Sequence, residues 1–224
     1  CNPTGAVYTE DELRKIGEFA TKHDLYIISD EIYEKLVYGE KHVSIASLSQ
    51  DLYDRTIVVN GLSKAYAMTG WRIGYTASSI EIANIMSNIQ SHATSNPNTI
   101  AQHAGIEALN GDQTAIEEMR VAFEARKNYM VETITKIPRV TCVKPNGAFY
   151  VMVDISYYKG KSIDGVEIGN SLDFAAVLID KANIAVIPGI AFGVDDYIRL
   201  SYATSMENIE EGLKRLHDFC TKYV

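Results

Sequence analysis

Leu25-Tyr26-Ile27-Ile28-Ser29-Asp30 and, after a polar interval, Thr56-Ile57-Val58-Val59-Asn60 are the stretches that decide the fold. Each is a short apolar run that ends in a polar residue, the texture of a parallel strand covered on both faces. Just upstream, Thr9-Glu10-Asp11-Glu12 is a capping box that pairs Thr9 with Glu12. It predicts a helix to about His23, with Leu13, Ile16, Phe19 and Ala20 facing inward. The order helix, strand, connection, strand implies an α/β layer fold.

Working outward, residues 72–77 read as a third strand and residues 79–90 as a helix. Asn96-Pro97 opens another helix that ends near Gly111, and residues 112–136 form a long amphipathic one. Past Pro138 the texture changes. Strands are expected at 140–143, 148–154, 184–187 and 197–201, and helices at about 170–181 and 205–222. A boundary near residues 130–138 divides the chain into domains 1–135 and 136–224.

The 224 residues are 46% hydrophobic and 22% charged, enough apolar material for a packed core and too little charge for disorder. A net charge of −8 disfavours nucleic acid and anionic membrane as partners. No apolar run approaches the roughly 18 residues of a membrane span. The three cysteines, Cys1, Cys142 and Cys220, are far apart and fit a reducing cytoplasm. His23, His42, His92, His103 and His217 show no metal-ligand spacing, so no metal site is expected. Neither the dinucleotide glycine fingerprint nor the P-loop pattern occurs. The chain opens on Cys1 in loop-like sequence, so a further N-terminal portion is expected.

In open α/β sheets ligands sit beyond the carboxyl ends of the strands. That rule selects Asp30, the segment from Asn60 to Lys64, and the loop around Asn2. In G-L-S-K-A-Y-A-M-T-G-W-R-I-G, residues 61–74, Ser63, Lys64 and Arg72 can together bind an anion. A lysine among cationic groups in a partly dry pocket is a nucleophile or Schiff-base partner. A lone Ser-Lys pair would instead read as solvated loop. Asp30 ends an apolar run, where a carboxylate needs a cationic partner; its plainer reading is a helix cap. Tyr33 alone reads as packing, and Asn2-Pro3 with Gly5 as a turn.

Taken together, N-P-T-G (2–5), D-E-I-Y (30–33) and S-K-x-x-x-M-T-G-W-R-x-G (63–74) resemble the class I aminotransferases of the fold-type-I pyridoxal-phosphate enzymes. The resemblance extends to P-N-G-A-F-Y (145–150) and Y-I-R-L-S-Y (197–202). It implies a three-layer fold like that of aspartate aminotransferases: part of the large cofactor-binding domain, then a small C-terminal α+β domain. It implies pyridoxal 5'-phosphate as cofactor, held covalently by Lys64, which also moves the substrate proton. Asp30 would pair with the protonated ring nitrogen. Tyr33 and Asn2 would bond the ring oxygen, Ser63 and Arg72 the phosphate. Arg199 would grip the substrate carboxylate, and Asn2 would also bind the substrate.

The stretch from Ser91 to Gln102 is most similar to bacterial-type aspartate aminotransferases. The resemblance therefore implies transamination between an amino acid, with aspartate preferred, and a 2-oxo acid such as 2-oxoglutarate, by a cytoplasmic homodimer. Two alternatives share these residues. One is another reaction on the same fold, a C–S lyase or aminocyclopropane-carboxylate synthase type. The other is the effector domain of a transcription regulator. The family's phosphate loop, ring-stacking aromatic and partner-subunit tyrosine have no counterpart in these residues. The 224 residues alone are expected to have little activity and to leave sheet edges and apolar faces uncovered.

Overall fold

The capping box at Thr9 forms as its sequence requires. In the computed structural model the Thr9 hydroxyl accepts from Glu12 N at 3.3 Å, and the Glu12 carboxylate accepts from Thr9 N at 2.8 Å. Helix α1 (Glu10–Lys22) follows. The structure describes residues 1–39 and 41–223. These divide into two units, Val7–Arg120 and Cys1–Ala6 with Val121–Val224.

In the unit Val7–Arg120, α1 buries Leu13, Gly17 and Ala20 against a cluster that includes Ile45 and Leu52. A Cβ on Gly17 would stand 2.7 Å from Leu52 Cδ1, so glycine permits this approach. Two of the four residues expected to face inward do not: Ile16 is 39% and Phe19 59% exposed. The cluster beneath the helix joins Leu13 to Ile45 and Leu52 and takes in neither Ile16 nor Phe19.

Strand β1 (Ile27–Asp30), helix α2 (Gln50–Arg55), strand β2 (Thr56–Gly61) and strand β3 (Gly74–Ala77) come next. β1 and β2 are parallel, with Ile27 opposite Thr56 and Asp30 opposite Val59. β3 runs antiparallel to β2 and completes a sheet ordered β1-β2-β3. Within these residues β1 is not covered on both faces: Ile27 and Ser29 are half-buried and Ile28 and Asp30 exposed. Helix α3 (Ile80–Ala93) has no buried residue, and α4 (Thr99–Asn110) buries Ala101 and Gly105. The Asn98 side chain, accepting from Ala101 N at 3.1 Å, caps α4 two residues beyond the expected Asn96-Pro97 start. Helix α5 (Thr114–Ile134) then runs for 21 residues.

The second unit holds β4 (Thr141–Cys142), β5 (Tyr150–Asp154), β6 (Ser162–Ile163), β7 (Val166–Glu167), helix α6 (Ser171–Ala182), β8 (Ile187–Pro188), β9 (Tyr197–Ser201) and helix α7 (Met206–Lys222). β4, β5, β9 and β8 lie in that order as an antiparallel sheet. Val151, Val153 and Ile198 are fully buried, as are Phe174 and Leu178 of α6. The Phe174 ring lies 5.0 Å from Tyr158 and 5.8 Å from Phe219 of α7, so aromatics link the two helices and the core. The sequence reading missed α2 and the β6–β7 hairpin. The hairpin carried a local signal: Asp164-Gly165, both at positive φ (48° and 86°), is the dipeptide of a tight two-residue turn.

Candidate functional site

Because β1 and β2 are parallel, their carboxyl ends emerge side by side. Asp30 is the last residue of β1, and Ser63 and Lys64 come just after Leu62, the first residue beyond β2. Lys64 is half-buried between buried Leu62 and Ala65. Its backbone is fixed by a turn in which Tyr66 N donates to Leu62 O at 3.2 Å and Ala67 N to Lys64 O at 3.3 Å. Two non-glycine residues of the connection to β3, Ala67 and Arg72, take left-handed φ of 53°. Each costs on the order of 1–2 kcal/mol, strain that concentrates at functional segments. The exposed Arg72 guanidinium donates through Nη1 to Thr69 O at 2.9 Å. Gly61 is required here, since a Cβ would stand 3.0 Å from the Cα of its cross-strand partner Gly74.

After β1 the chain makes a turn instead of a helix. Asp30 Oδ1 accepts from Ile32 N at 3.2 Å, and Glu34 N donates to Glu31 O at 2.9 Å. Tyr33 is half-buried in this turn, and Leu36 N donates to its carbonyl at 2.8 Å. The premise that Asp30 ends a buried run is corrected, because its side chain is exposed. The buried carboxylate is the next one, Glu31, only 6% exposed. Ser29 Oγ (3.0 Å) and Ser44 Oγ (2.7 Å) donate to its Oε1, and His42 Nε2 lies 3.0 Å from Oε2. Burial alone raises the Glu31 carboxyl pKa, but the bonds from His42, Ser44 and Ser29 outweigh it and hold the group below its ordinary value. Glu34 completes a set of ligand-type atoms, with Glu31 and His42, that lie within 4.8 Å of one another. Hydrogen bonds already engage both Glu31 oxygens there.

The remaining two candidates meet within the other unit. Arg199 on β9 donates through Nη1 to Asn2 Oδ1, although 197 positions separate them. Its guanidinium carbon stands 4.2 Å from the Tyr150 ring centroid and 4.7 Å from that of Phe192. Cation–π contacts of this kind hold the guanidinium in place and leave recognition to its N–H groups. Asn2 is brought there by Gly5, whose carbonyl accepts from Asn146 N (3.0 Å) and Gly147 N (2.8 Å). Gly5 has φ 68°, and a Cβ on it would stand 2.4 Å from Pro145 Cβ. The N-P-T-G and P-N-G-A-F-Y segments are thus packed on each other.

The structure therefore groups Asp30, Tyr33, Ser63, Lys64 and Arg72 in one unit and Asn2 with Arg199 in the other. Sequence reading overlooked the Glu31–Ser29–His42–Ser44 cluster and the two rings on Arg199. The alternation of Ser29 and Glu31 about Asp30 was the one available hint, since it puts both on the face opposite Asp30. In the same segment Trp71 is 47% exposed, whereas Met68 is buried.

The donor set matches a pyridoxal-phosphate group in chemistry. It offers an amine for the aldehyde, a carboxylate for the cationic ring nitrogen, and a hydroxyl with a guanidinium for the phosphate.

Comparison with known proteins agrees with that chemistry. The family described as aminotransferase class I and II matches residues 1–216. An aspartate aminotransferase of Bacillus subtilis is 46% identical over 223 residues, covering 99% of this chain and 56% of its own length. The solved aspartate aminotransferase of Rhizobium meliloti superposes with a TM-score of 0.95 at 39% identity, over 100% of this chain and 56% of that one. An aromatic aminotransferase of Pyrococcus horikoshii gives 0.91 at 38%, over 99% and 58%. The chain thus spans little more than half the length of these proteins, and over that span it has their α/β fold. With the motifs, the match over residues 1–216 and the superposition all in agreement, this chain belongs to the class I and II aminotransferase family.

Proposed function

We propose that this chain is the part of a pyridoxal-phosphate-dependent aminotransferase that carries the cofactor lysine and the substrate arginine. The observation that carries the reading is the parallel pairing of β1 and β2, which brings Asp30 and Ser63-Lys64 to one sheet edge in a chain of this family. When bound, the cofactor supplies an electron-withdrawing ring that stabilises negative charge at the substrate Cα. Lys64 would hold it through its side-chain amine and, once the substrate amine has displaced that amine, would be the base that takes the Cα proton and the acid that gives a proton back. Asp30 keeps the ring nitrogen protonated. Ser63 and Arg72 would bind the phosphate, and Tyr33 would donate to the ring oxygen. Arg199, held in place by Tyr150 and Phe192, binds the α-carboxylate as a bidentate pair.

The substrates in this proposal are an amino acid, with aspartate preferred, and a 2-oxo acid such as 2-oxoglutarate. Relatives named for aspartate support it, and the one named for aromatic substrates marks the competing choice. The whole protein acts as a homodimer in the cytoplasm; among the described residues no helix is long and apolar enough to cross a membrane.

The test is a titration of the purified chain and its Lys64→Ala variant with pyridoxal phosphate, reading the visible spectrum before and after borohydride. The expected result is cofactor fixed to protein only when Lys64 is present. Equal fixation in both proteins would overturn the role given to Lys64.

A further inference from the structure

Asp30 is the last residue of β1, so its aim depends on what holds the strand end. That strand end has an anchor on its other face. Ser29 and Glu31 flank Asp30 and, by the alternation of a strand, project opposite to it. Glu31 is buried, and its two carboxylate oxygens take three hydrogen bonds: Ser29 from its own strand, and His42 and Ser44 from the segment that precedes Ile45. Its amide donates to Val59 O at 2.8 Å, which extends the β1–β2 ladder one residue beyond Asp30. Asp30 is therefore held on both sides, by Ser29 within β1 and by Glu31 beyond it, while its own Oδ1 takes the Ile32 amide. Removing the Glu31 carboxylate would leave Ser29 and Ser44 without this acceptor and free the last rung of the ladder.

We propose that Glu31 is a positioning residue: its buried carboxylate, tied to Ser29, His42 and Ser44, aims Asp30 at the cofactor ring nitrogen. This rests on the role given to Asp30 in the proposed function. Glu31 touches neither cofactor nor substrate in this scheme and acts only through Asp30.

A double-mutant cycle on the full-length protein that carries this chain tests the idea. Pyridoxal-phosphate dissociation constants are measured for wild type, Asp30→Asn, Glu31→Ala and the double variant, together with amide exchange across residues 27–32 in the cofactor-free protein. Glu31→Ala is expected to weaken cofactor binding about tenfold, the scale of losing an orienting partner behind a ligand group, and to speed exchange at Ile32. Because the loss runs through Asp30, the double variant should bind within about twofold of Asp30→Asn alone. Glu31→Gln, which keeps the shape and an acceptor for both serines, should restore binding to within about threefold of wild type. If Glu31→Ala does not fold, Ser44→Ala replaces it in the same cycle. Effects of Glu31→Ala and Asp30→Asn that multiply would overturn the inference, as would a Glu31→Ala protein that binds like wild type. If Asp30→Asn itself binds like wild type, the role of Asp30 in the proposed function fails first and this inference falls with it.

Discussion

Strands β1 and β5 are made of the same kinds of residue, Ile-Ile-Ser-Asp in one and Tyr-Val-Met-Val-Asp in the other, yet they live in different surroundings. β5 lies between two neighbours in its sheet and buries Val151 and Val153 completely. Within this chain, which spans 56% of the length of its Bacillus subtilis relative, β1 has one sheet neighbour and leaves Ile28 74% exposed. The contrast extends to the helices. α6 buries five residues, Phe174 and Leu178 among them, whereas α3 buries none. An apolar strand sequence states a capacity for burial, and the layers around it decide how much is used. The unit with Lys64 uses less of that capacity than the unit with Arg199.

The largest test of this difference is Leu178→Ala. Leu178 is fully buried, so the change should cost about 2–5 kcal/mol in denaturant unfolding of its unit. A loss under about 1 kcal/mol would break the picture of a sealed core.

Gly5→Ala comes next. It adds a Cβ 2.4 Å from Pro145 at a left-handed φ, so about 2–4 kcal/mol is expected from overpacking and backbone strain together. The contact between Asn2 and Arg199 should loosen with it, visible as a shifted Arg199 side-chain resonance.

Acid sharpens the comparison from the other side. A carboxyl whose folded pKa is depressed stabilises the fold above its unfolded value and loses that contribution as pH falls through the folded one. Glu31 is of this kind, with an ordinary value of 4.5, so the unit Val7–Arg120 should weaken as pH drops below that value. Thermal melts of wild type against Glu31→Gln should diverge at neutral pH and converge in acid. Parallel curves would show that Glu31 makes no such contribution.

The smallest effect is expected at Ile28→Ser, under about 0.5 kcal/mol, because the side chain is already exposed. A cost comparable to that of Leu178→Ala would mean that β1 is covered after all.

Much of this molecule was legible before its structure. The Thr9–Glu12 box, the parallel runs at 25–30 and 56–60, the long helix begun near residue 112 and the last strand at 197–201 all lie within a residue or two of their expected places. Each is governed by neighbours in the chain: a cap needs a residue three positions on, a strand a run of apolar side chains. The misreadings of burial have one cause. Ile16 and Phe19 were expected to be covered, and that depends on what other segments deliver to them. Asp30 was expected to be buried for the same reason, and the buried carboxylate is Glu31.

The sequence by itself determined the chemistry on offer. Lys64 and Ser63 follow β2, Asp30 ends β1, and Arg199 lies on a late strand, because spacing along a chain fixes which residues leave a strand end. Only the tertiary structure decided the partnerships: Asn2 with Arg199 across 197 positions, Tyr150 and Phe192 on that guanidinium, and His42 and Ser44 on Glu31. Such contacts join segments that are remote in the chain. No local pattern encodes them, and they form only when the packing of whole elements brings the two side chains within reach.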